Sequence, residues 1–494
     1  MNEKDGEHMR KIVVHVADQE TRAAVIEDER LVEFHVERNI DDQLVGNIYV
    51  GKVANVLPGM QAAFVDIGAE KNAFLYIDDA ITPKEYEVHD KDWKPNIREI
   101  LRQGQEILVQ VKKEAFGNKG PRVTTHISLP GRYLVYMPMV NYVGVSRKIT
   151  NEEERLRLKE IGESIRSEEE GIIIRTVAEG VEAEYILRDL QFLRTQWSRI
   201  QEKSKSITIP SLIYRDLGLV PRLVRDLLSD EVKQFIIDDG PTFRRIKEAI
   251  QFSAPELTER LYLYTDKEYI FDAFHIQGEI EKALKRKVWL KSGGYLMIDQ
   301  TEALTVIDVN TGKFTGHSNL EDTVLKTNIE AAVEIARQLR LRDIGGIIII
   351  DFIDMKEENH REKVLQILQE EMKKDRTKSN ILGLTQLGLV EMTRKKIRQN
   401  LGSILLRTCP YCEGTGRVVS EEVMKERIER EMKTYQEHST FHAFFIEAHP
   451  YVVSHLVGNN QENLHRLERE LGKKITVKGN PNFHFHHYEI QFLT

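Results

Sequence analysis

Cysteine is almost absent from the 494 residues, which contain only Cys409 and Cys412. These two positions are too close in sequence to join distant parts of a fold, so a disulfide-stabilised extracellular framework is excluded. Long apolar runs are also missing, because no stretch approaches the ~20 residues that a membrane-spanning helix requires. The segment before Met9 lacks the apolar core of a signal peptide. We therefore expect a cytoplasmic protein without a membrane span.

Charged residues are abundant, at 30% of the chain, and the formal net charge is -8. This total argues only weakly against a nucleic-acid partner, because binding requires a locally basic surface and not a basic chain. One basic group contains Lys112, Lys113, Lys119 and Arg122. A solvated surface remains the default explanation for such a group.

The length predicts several domains, because a single hydrophobic core stops growing well below 494 residues. Between Asn47 and Gly68, short β-rich runs alternate with Gly and Pro turns, which is typical of a small β-barrel. We place an OB-fold at about residues 43–125. A polar, proline-bearing stretch from Thr82 to Asn96 interrupts it and predicts a long loop.

Two aspartates follow strand-like runs in the second half of the chain. YLMID and ALTVIDV predict a β-hairpin, a helical pattern then extends to Gly345, and IIIIDFIDM predicts a buried strand. If the strands of Asp308 and Asp351 are parallel neighbours, the connecting helix places both carboxylates at one edge of the sheet. Two carboxylates suit magnesium, which keeps several waters and takes few protein ligands.

Asn310 is a candidate supporting residue, because it would point to the same side of its strand as Asp308 and could hydrogen-bond that carboxylate. The alternative is that each aspartate only forms a turn or caps a helix. NTGK does not form a phosphate loop, because the required glycine is replaced by Ile307. Dinucleotide and nucleophile-elbow chemistries also lack their motifs.

The two cysteines stand in RTCPYCEGTG, at CxxC spacing. They supply half of a four-thiolate zinc site, and the sequence offers no second pair, so such a site would have to bridge two chains. A redox-active CxxC is the competing interpretation. The GxG turn that follows resembles a zinc knuckle more than the helix N-terminus that activates a redox cysteine.

Phe64 and Phe74 lie on flanking strands of the predicted barrel, where RNA bases could stack on them. Core packing is the alternative for both side chains. Lys113 and Lys119 would then contact phosphates and add affinity without sequence selectivity.

Seven segments occur in an order that resembles the ribonuclease E/G family over nearly the whole chain. They are QAAFVDIGAEKNAFL, KEAFGNKGPRVTTHISL, IIIRTVAEG, LTVIDVNTGKFTG, GGIIIIDFIDM, LGLVEMTRKKIR and RTCPYCEGTG. The absence of a long disordered tail is similar to the shorter members of that family.

The resemblance implies a multidomain α/β protein that also contains a β-barrel. An RNase H-like fold is expected to carry two inserted domains, and a catalytic domain, a zinc link and a small domain are expected to follow it. The expected divisions are RNase H-like residues 1–42 and 221–283, the OB-fold RNA-binding domain 43–125, the 5′-sensor domain 126–220, the DNase I-like catalytic domain 284–400, the zinc link 401–419 and the small α/β domain 420–494.

The resemblance also implies roles for residues near the predicted sheet edge and the thiols. Asp308 and Asp351 match magnesium-binding aspartates, and Asn310 matches the asparagine of the same catalytic motif. Cys409 and Cys412 match a zinc link between the subunits of a homodimer, which could pair further into a tetramer.

A pocket for the 5′-monophosphate of RNA is implied as well. Arg175 and Thr176 match its side chains, and Gly131 and Val135 match its backbone contributors. One departure is Lys148, where the family often has a second arginine. The polar insertion is another departure.

The implied activity is magnesium-dependent endonucleolytic cleavage of single-stranded RNA to 5′-phosphate and 3′-hydroxyl ends, stimulated by a 5′-monophosphate. The implied processes are rRNA processing and mRNA decay. A non-catalytic RNA-binding scaffold is the principal alternative, and a DNA nuclease is a further one. Magnesium-dependent cutting of RNA but not DNA distinguishes the three, because the 2′-hydroxyl marks RNA.

Overall fold

A computed structural model describes residues 9–38, 44–81, 96–114, 119–229, 231–312, 320–436 and 441–493. The chain divides into two compact units, Met1–Ile404 and Leu405–Thr494. Apart from Asn96, the insertion predicted to be a long loop lies outside the described residues. None of the helices in the described ranges has both the length and the apolar character needed to span a bilayer.

Strands and helices alternate irregularly along the first unit. Its strands are β1 (Arg10–Val16), β2 (Glu20–Glu27), β3 (Arg30–Arg38), β4 (Ile48–Leu57), β5 (Ala62–Asp66), β6 (Ala73–Tyr76), β7 (Glu106–Lys113), β8 (Arg122–Thr124), β9 (Leu129–Pro130), β10 (Leu134–Met137), β11 (Val143–Val145), β12 (Gly171–Ile174), β13 (Ser211–Tyr214), β14 (Val232–Ile237), β15 (Leu261–Leu263), β16 (Lys287–Trp289), β17 (Tyr295–Gln300), β18 (Leu304–Asn310), β19 (Gly346–Asp351), β20 (Ser379–Leu384) and β21 (Val390–Arg394). Its helices are α1 (Ile77–Ala80), α2 (Ile97–Ile100), α3 (Glu152–Ile165), α4 (Ala183–Ser204), α5 (Leu219–Leu227), α6 (Gly240–Ser253), α7 (Ile270–Ala273), α8 (Ile276–Ala283), α9 (Leu320–Leu341) and α10 (Glu358–Lys373), and α11 (Leu401–Leu405) lies at its end.

The first sheet joins the N-terminus to a distant part of the sequence. Its strand order is β15-β14-β1-β2-β3, with β1 parallel to β14 and antiparallel to β2. Ile12, Val14, Phe235 and Ile237 are buried in one core with side chains of α5 and α6. Residues on both sides of the barrel in sequence therefore share one core, and its assignment as RNase H-like stays a prediction.

Five strands form a closed barrel of order β4-β5-β6-β8-β7, which the pairing of β7 with β4 completes. Strands β6 and β8 are parallel. Alternate side chains such as Val53, Val65, Leu75 and Val111 are buried, as small barrels require. The predicted β-barrel is confirmed, and its assignment as an OB-fold stays a prediction.

A four-stranded sheet of order β11-β12-β10-β9 follows the barrel. Side chains of α3 and α4, including Leu158, Ile186 and Leu190, share a core with Ile172 and Ile174 of this sheet. This part of the chain positions the residues predicted to bind a 5′-phosphate.

The sheet that carries the two aspartates has the order β16-β17-β18-β19-β21-β20. Strands β17 and β18 form the predicted antiparallel hairpin, and β18 and β19 are parallel neighbours connected through α9. One face is buried against α9 and α10, with Ile307, Ile348 and Ile350 fully buried in the shared core. The opposite face is therefore left to solvent in the described residues of this unit.

The second unit contains a small sheet of order β23-β22-β24, with β22 parallel to β23 and antiparallel to β24. Its elements are β22 (Ala443–Ala448), β23 (Lys474–Gly479), β24 (Tyr488–Leu493), α12 (Glu421–Gln436), α13 (Pro450–Val457) and α14 (Glu462–Leu471). Met424, Ile428 and Met432 of α12 are buried in the core that Phe444 and Ile446 of β22 share.

A buried arginine anchors the edge of the aspartate-bearing sheet. Arg394 Nε donates to Asp375 Oδ2 at 2.7 Å, and Arg394 Nη1 donates to Asp343 Oδ1 at 2.7 Å. All three side chains are under 10% exposed. Arg394 thus neutralises Asp375 and shares Asp343 with Arg398, whose Nε donates to Asp343 Oδ2 at 2.6 Å.

We predict that Arg394→Met destabilises the first unit by about 3–5 kcal/mol, because the buried carboxylate of Asp375 loses its guanidinium partner and Asp343 loses one of its two. Urea unfolding at neutral pH measures this loss. The matched control is Arg286→Met, because Arg286 forms an ion pair with Asp299 at the exposed surface of the same sheet. Equal stability of the two variants would contradict the assignment.

Candidate functional site

The two predicted aspartates are direct neighbours at one end of two strands. Asp308 on β18 is the register partner of Asp351 on β19. Adjacent strands lie about 4.8 Å apart, and directly opposite residues have their side chains on the same face. Both aspartates are exposed. The residues next to them along the strands, Ile307, Val309 and Ile350, are buried in the core. The predicted parallel arrangement, with both carboxylates at one sheet edge, is confirmed.

Asn310 contacts the first carboxylate as the sequence predicts. Its Nδ2 donates a hydrogen bond to Asp308 Oδ2 at 2.7 Å. The chain then turns at Gly312, which has a φ of 61° and where an added Cβ would lie 2.5 Å from Gly293 O. Only glycine fits this close approach without strain. Asn310 therefore restricts the orientation of the Asp308 carboxylate at the start of a constrained turn.

The electrostatic field at this edge is negative. Burial raises the pKa of Asp351, and the charges of Asp308 and Asp354 raise it further. Each of these carboxylates thus disfavours ionisation of Asp351, and a bound cation would oppose that effect. Asp354, three residues beyond Asp351, therefore contributes to the negative field.

The donor set fits magnesium better than a metal that needs a closed shell of protein ligands. In the described ranges, no group of three or more His, Cys, Asp or Glu side chains is arranged to hold a metal ion. Asp308 and Asp351 provide two hard oxygen donors, and magnesium commonly takes one or two carboxylates with water and substrate phosphate. The site is therefore suited to an ion that the substrate helps to hold.

Asn328 positions the chain just after Asp351 and was missed by the sequence analysis. It is fully buried on α9. Its Nδ2 donates to Ile353 O at 2.8 Å, and its Oδ1 accepts from Ile353 N at 3.1 Å. One amide therefore satisfies both backbone groups of a residue beyond the strand end. A polar residue within the apolar face of the predicted helix was the available signal.

The barrel brings three of the four predicted RNA-binding residues into one row. Phe64 on β5 pairs with Phe74 on β6, and Phe74 pairs with Arg122 on β8. Arg122 in turn pairs with Lys113 on β7. The two phenylalanine rings are half-buried and their centroids lie 5.5 Å apart. Lys119 is exposed in the segment before β8. Aromatic and basic side chains thus share an outer surface of the barrel.

Tyr76 and Arg122 extend this row, and the sequence analysis did not predict that either residue contacts RNA. The Tyr76 ring centroid lies 4.5 Å from that of Phe74 and 4.4 Å from Arg122 Cζ. Asp79 holds the cation, because Arg122 Nε donates to Asp79 Oδ2 at 2.8 Å. Burial raises the pKa of Asp79, but hydrogen bonds from Lys112 and Arg122 outweigh burial and lower it. Arg122 is thereby fixed over the Tyr76 ring.

Two residues of the predicted 5′-phosphate pocket are in contact. Arg175 Nη1 donates to Gly131 O at 2.7 Å. Thr176 lies next in sequence, and its hydroxyl is 2.9 Å from Ser146 Oγ. Val135 lies on β10, opposite Ile173 of β12. The structure thus places all four predicted residues around the ends of β10 and β12.

Asp226 is a partner of Arg175 that the sequence analysis missed. Arg175 Nη2 donates to Asp226 Oδ1 at 2.8 Å, and Arg225 Nη2 donates to Asp226 Oδ2 at 2.9 Å. Burial raises the pKa of Asp226, but Arg225 and Arg175 outweigh burial and lower it. Two guanidinium groups share the carboxylate of Asp226, and these three side chains together carry a net positive charge.

A short chain of contacts connects this pocket to the part of the unit that carries the aspartates. Arg376 Nη1 donates to Asp226 O at 2.7 Å, and Lys148 Nζ donates to Arg376 O at 3.4 Å. Lys148, the departure from the family pattern, therefore contacts the segment between α10 and β20.

The cysteine pair lies on a tight turn in the second unit. Cys409 is exposed, and hydrogen bonds from the backbone at Cys412 and Tyr411 lower its pKa. The turn is closed by Thr415 N, which donates to Cys412 O at 2.9 Å. His484 Nε2 lies 2.6 Å from Tyr411 O and steadies the loop. These features favour a thiolate at Cys409 that is accessible to a ligand, and the assignment of the pair to a zinc site stays a prediction.

The closed barrel with aromatic and basic side chains, together with paired carboxylates at a sheet edge, defines a multidomain α/β protein of the kind expected to hydrolyse nucleic acid. Comparison with known proteins specifies the family. Residues 128–397 match the sequence model of the Ribonuclease E/G family, and residues 408–493 match that of the RNase E/G thioredoxin-like domain. The chain belongs to the ribonuclease E/G family, and its predicted class, endoribonuclease, is confirmed.

Individual relatives are similar along most of the chain. Ribonuclease G of Escherichia coli strain K12 is 43% identical over 486 residues, covering 98% of this chain and 99% of that protein. Ribonuclease G of Haemophilus influenzae is 44% identical over 472 residues, covering 95% and 96%. Ribonuclease E of a Nostoc species is 42% identical over 408 residues, covering 82% of this chain but 58% of that protein. The expected similarity to the shorter members of the family is confirmed.

We predict that Asn328→Leu destabilises the protein by roughly 1–3 kcal/mol for each backbone group of Ile353 left without a partner. Asn328→Asp should also destabilise the protein, because it removes the donor to Ile353 O and buries a carboxylate against that carbonyl oxygen. Urea unfolding measures both. Thr327→Val is the control, since Thr327 is equally buried but only donates to Thr323 O on its own helix. Identical losses for Asn328→Leu and Thr327→Val would contradict the assigned role.

Proposed function

We propose that this protein is a magnesium-dependent endoribonuclease that cuts single-stranded RNA to 5′-phosphate and 3′-hydroxyl ends. The observation that carries the proposal is the register pairing of Asp308 with Asp351 on parallel strands. Family membership supports the reaction class. The exposed position of both carboxylates supports access by a polymeric substrate.

The residues at the sheet edge would have separate roles in metal binding and in positioning the metal ligands. Asp308 and Asp351 would hold magnesium, and Asn310 fixes the Asp308 carboxylate through its hydrogen bond. Magnesium, when bound, supplies an activated water and neutralises charge on the scissile phosphate. Asn328 maintains the backbone beyond Asp351, so that the second carboxylate keeps its position.

The barrel would bind the substrate as an OB-fold RNA-binding domain. Phe64 and Phe74 offer ring surfaces for stacking, and Lys113 and Lys119 offer positive charge to phosphates. The order of the five strands and the parallel β6–β8 pair support this assignment. In the same layout the first sheet would belong to an RNase H-like domain, and the region of β9–β12 would be a 5′-sensor domain. The sheet that carries Asp308 and Asp351 would belong to a DNase I-like domain.

The pocket at Arg175 would recognise a 5′-monophosphate. Arg175 and Arg225 carry more positive charge than Asp226 neutralises, and Thr176 adds a hydroxyl. Gly131 and Val135 would contribute backbone groups. A guanidinium fork matches phosphate oxygens, so an RNA end can replace one of the present partners of Arg175.

The thiol pair would form the zinc link of a homodimer. Cys409 and Cys412 supply two ligands, and a second subunit would complete the tetrahedral set. Such dimers could pair into tetramers. The resemblance to the ribonuclease E/G family implies roles in rRNA processing and mRNA decay, and we propose the cytoplasm as the location.

We predict that Asp308→Asn and Asp351→Asn each abolish cleavage while the affinity for RNA changes little, because the charge that holds the metal is lost but no base contact is. Cleavage and binding of one labelled single-stranded RNA measure the two effects. Asp299→Asn is the control, since Asp299 lies on the same face of the same sheet. Full activity in both site variants would contradict the assignment, and binding without any cleavage by the parent would indicate a scaffold.

We predict that Arg175→Ala removes the rate advantage of a 5′-monophosphate but leaves cleavage of 5′-hydroxyl RNA intact. A triphosphate adds charge and bulk, and a hydroxyl offers no charge, so the parent should cut both more slowly than the monophosphate. Initial rates on one RNA with each end measure this. Arg188→Ala is the control, because Arg188 forms an exposed ion pair on α4. Equal parental rates for all three ends would contradict end sensing.

A further inference from the structure

An aromatic pair with a lysine lies on the same sheet as the candidate active site. Trp289 is 64% exposed and is the register partner of Tyr295. Their ring centroids lie 5.4 Å apart with an interplanar angle of 66°. Lys287 Nζ lies 3.9 Å from the Trp289 centroid and 3.7 Å from the Tyr295 centroid. These three residues are the aromatic cluster.

The strand register connects the aromatic cluster to the catalytic residues. Tyr295 is the partner of Asn310 across the β17–β18 pair, and Met297 is the partner of Asp308. Lys287 is in turn the partner of Met297. Since opposite residues share a face, the cluster lies on the exposed face that carries the carboxylates. Trp289 is two strand spacings from Asn310, about 10 Å.

We propose that Trp289 and Tyr295 form a stacking platform for a base of the single-stranded RNA beside the scissile phosphate. Lys287 supplies positive charge for the adjoining phosphate. This inference rests on the proposed function, because it assigns the platform to the substrate of that site. It adds a base-binding subsite at the catalytic sheet itself, separate from the row on the barrel.

The chemistry of the cluster favours an RNA strand over other occupants. A single exposed aromatic side chain is common on protein surfaces, so exposure alone carries little weight. Here the indole is adjacent to a second ring and a cation, the combination with which proteins hold bases and phosphates of single strands without sequence preference. The position next to the carboxylates restricts the occupant to the polymer that is cut there.

The experiment compares Trp289→Ala, Trp289→Phe and the parent on two RNAs. One RNA carries all bases, and the other carries abasic nucleotides on both sides of the cut. We expect Trp289→Ala to raise KM for the complete RNA roughly 5- to 150-fold, the range for one stacked base, with little change in kcat. Trp289→Phe should restore most of the loss. On the abasic RNA, parent and Trp289→Ala should have the same KM.

Tyr451→Ala is the matched control, because Tyr451 is 65% exposed but lies in the second unit. An unchanged KM for Trp289→Ala, with Phe and Ala variants equally active, would overturn the platform and leave a role in hairpin stability. A parent that fails to cut RNA would contradict the proposed function instead. Affinity for the complete RNA in the presence of EDTA then tests the platform alone, and equal affinity of parent and Trp289→Ala would overturn it.

Discussion

Asp308 and Asp351 are held side by side although their negative charges repel each other, and much of the surrounding structure serves this arrangement. The register of two parallel strands fixes their separation. The isoleucines that alternate with them on the two strands, Ile307, Ile348 and Ile350, are buried against α9 and α10. The strands therefore cannot shift their register without exposing this core. Asn310 and Asn328 then hold one carboxylate and the backbone beyond the other. Burial and, after it, the charges of Asp308 and Asp354 raise the pKa of Asp351.

The same sheet links the aspartates to the rest of the first unit. Arg340, at the end of the helix that joins the two strands, donates from Nη2 to Glu27 Oε1 at 3.0 Å and to Glu33 Oε1 at 3.1 Å. Both glutamates belong to the first sheet, so a buried ion cluster ties that sheet to the crossover helix. On β21 of the same sheet, Arg394 pairs with Asp343 and Asp375, which lie in connections just before β19 and β20. The face of this sheet that carries Asp308 and Asp351 stays exposed in the described residues.

Much of the sheet that carries Asp308 and Asp351 could be predicted because its signals are local. The hairpin, the crossover helix and the buried strand each follow from the spacing of apolar residues, and a right-handed connection then brings Asp308 beside Asp351. The barrel could also be predicted, because Gly and Pro turns separate its short β-rich runs. Asn328, Asp226 and Trp289 were not predicted, because each acquires its role from a partner that is distant in sequence or on another strand. A pattern along one segment cannot show the register of two segments.

The most direct test of the catalytic assignment uses the unmodified protein and one single-stranded RNA labelled at its 5′ end. The RNA is incubated with magnesium or with EDTA, and the chemistry of the new ends is determined. The account predicts internal cuts only with magnesium, with 5′-phosphate and 3′-hydroxyl products and no cutting of the matching DNA. Cleavage that persists in EDTA would contradict it, because the metal would then be dispensable. A 2′,3′-cyclic phosphate would also contradict it, because the 2′-hydroxyl of the RNA itself would then be the nucleophile.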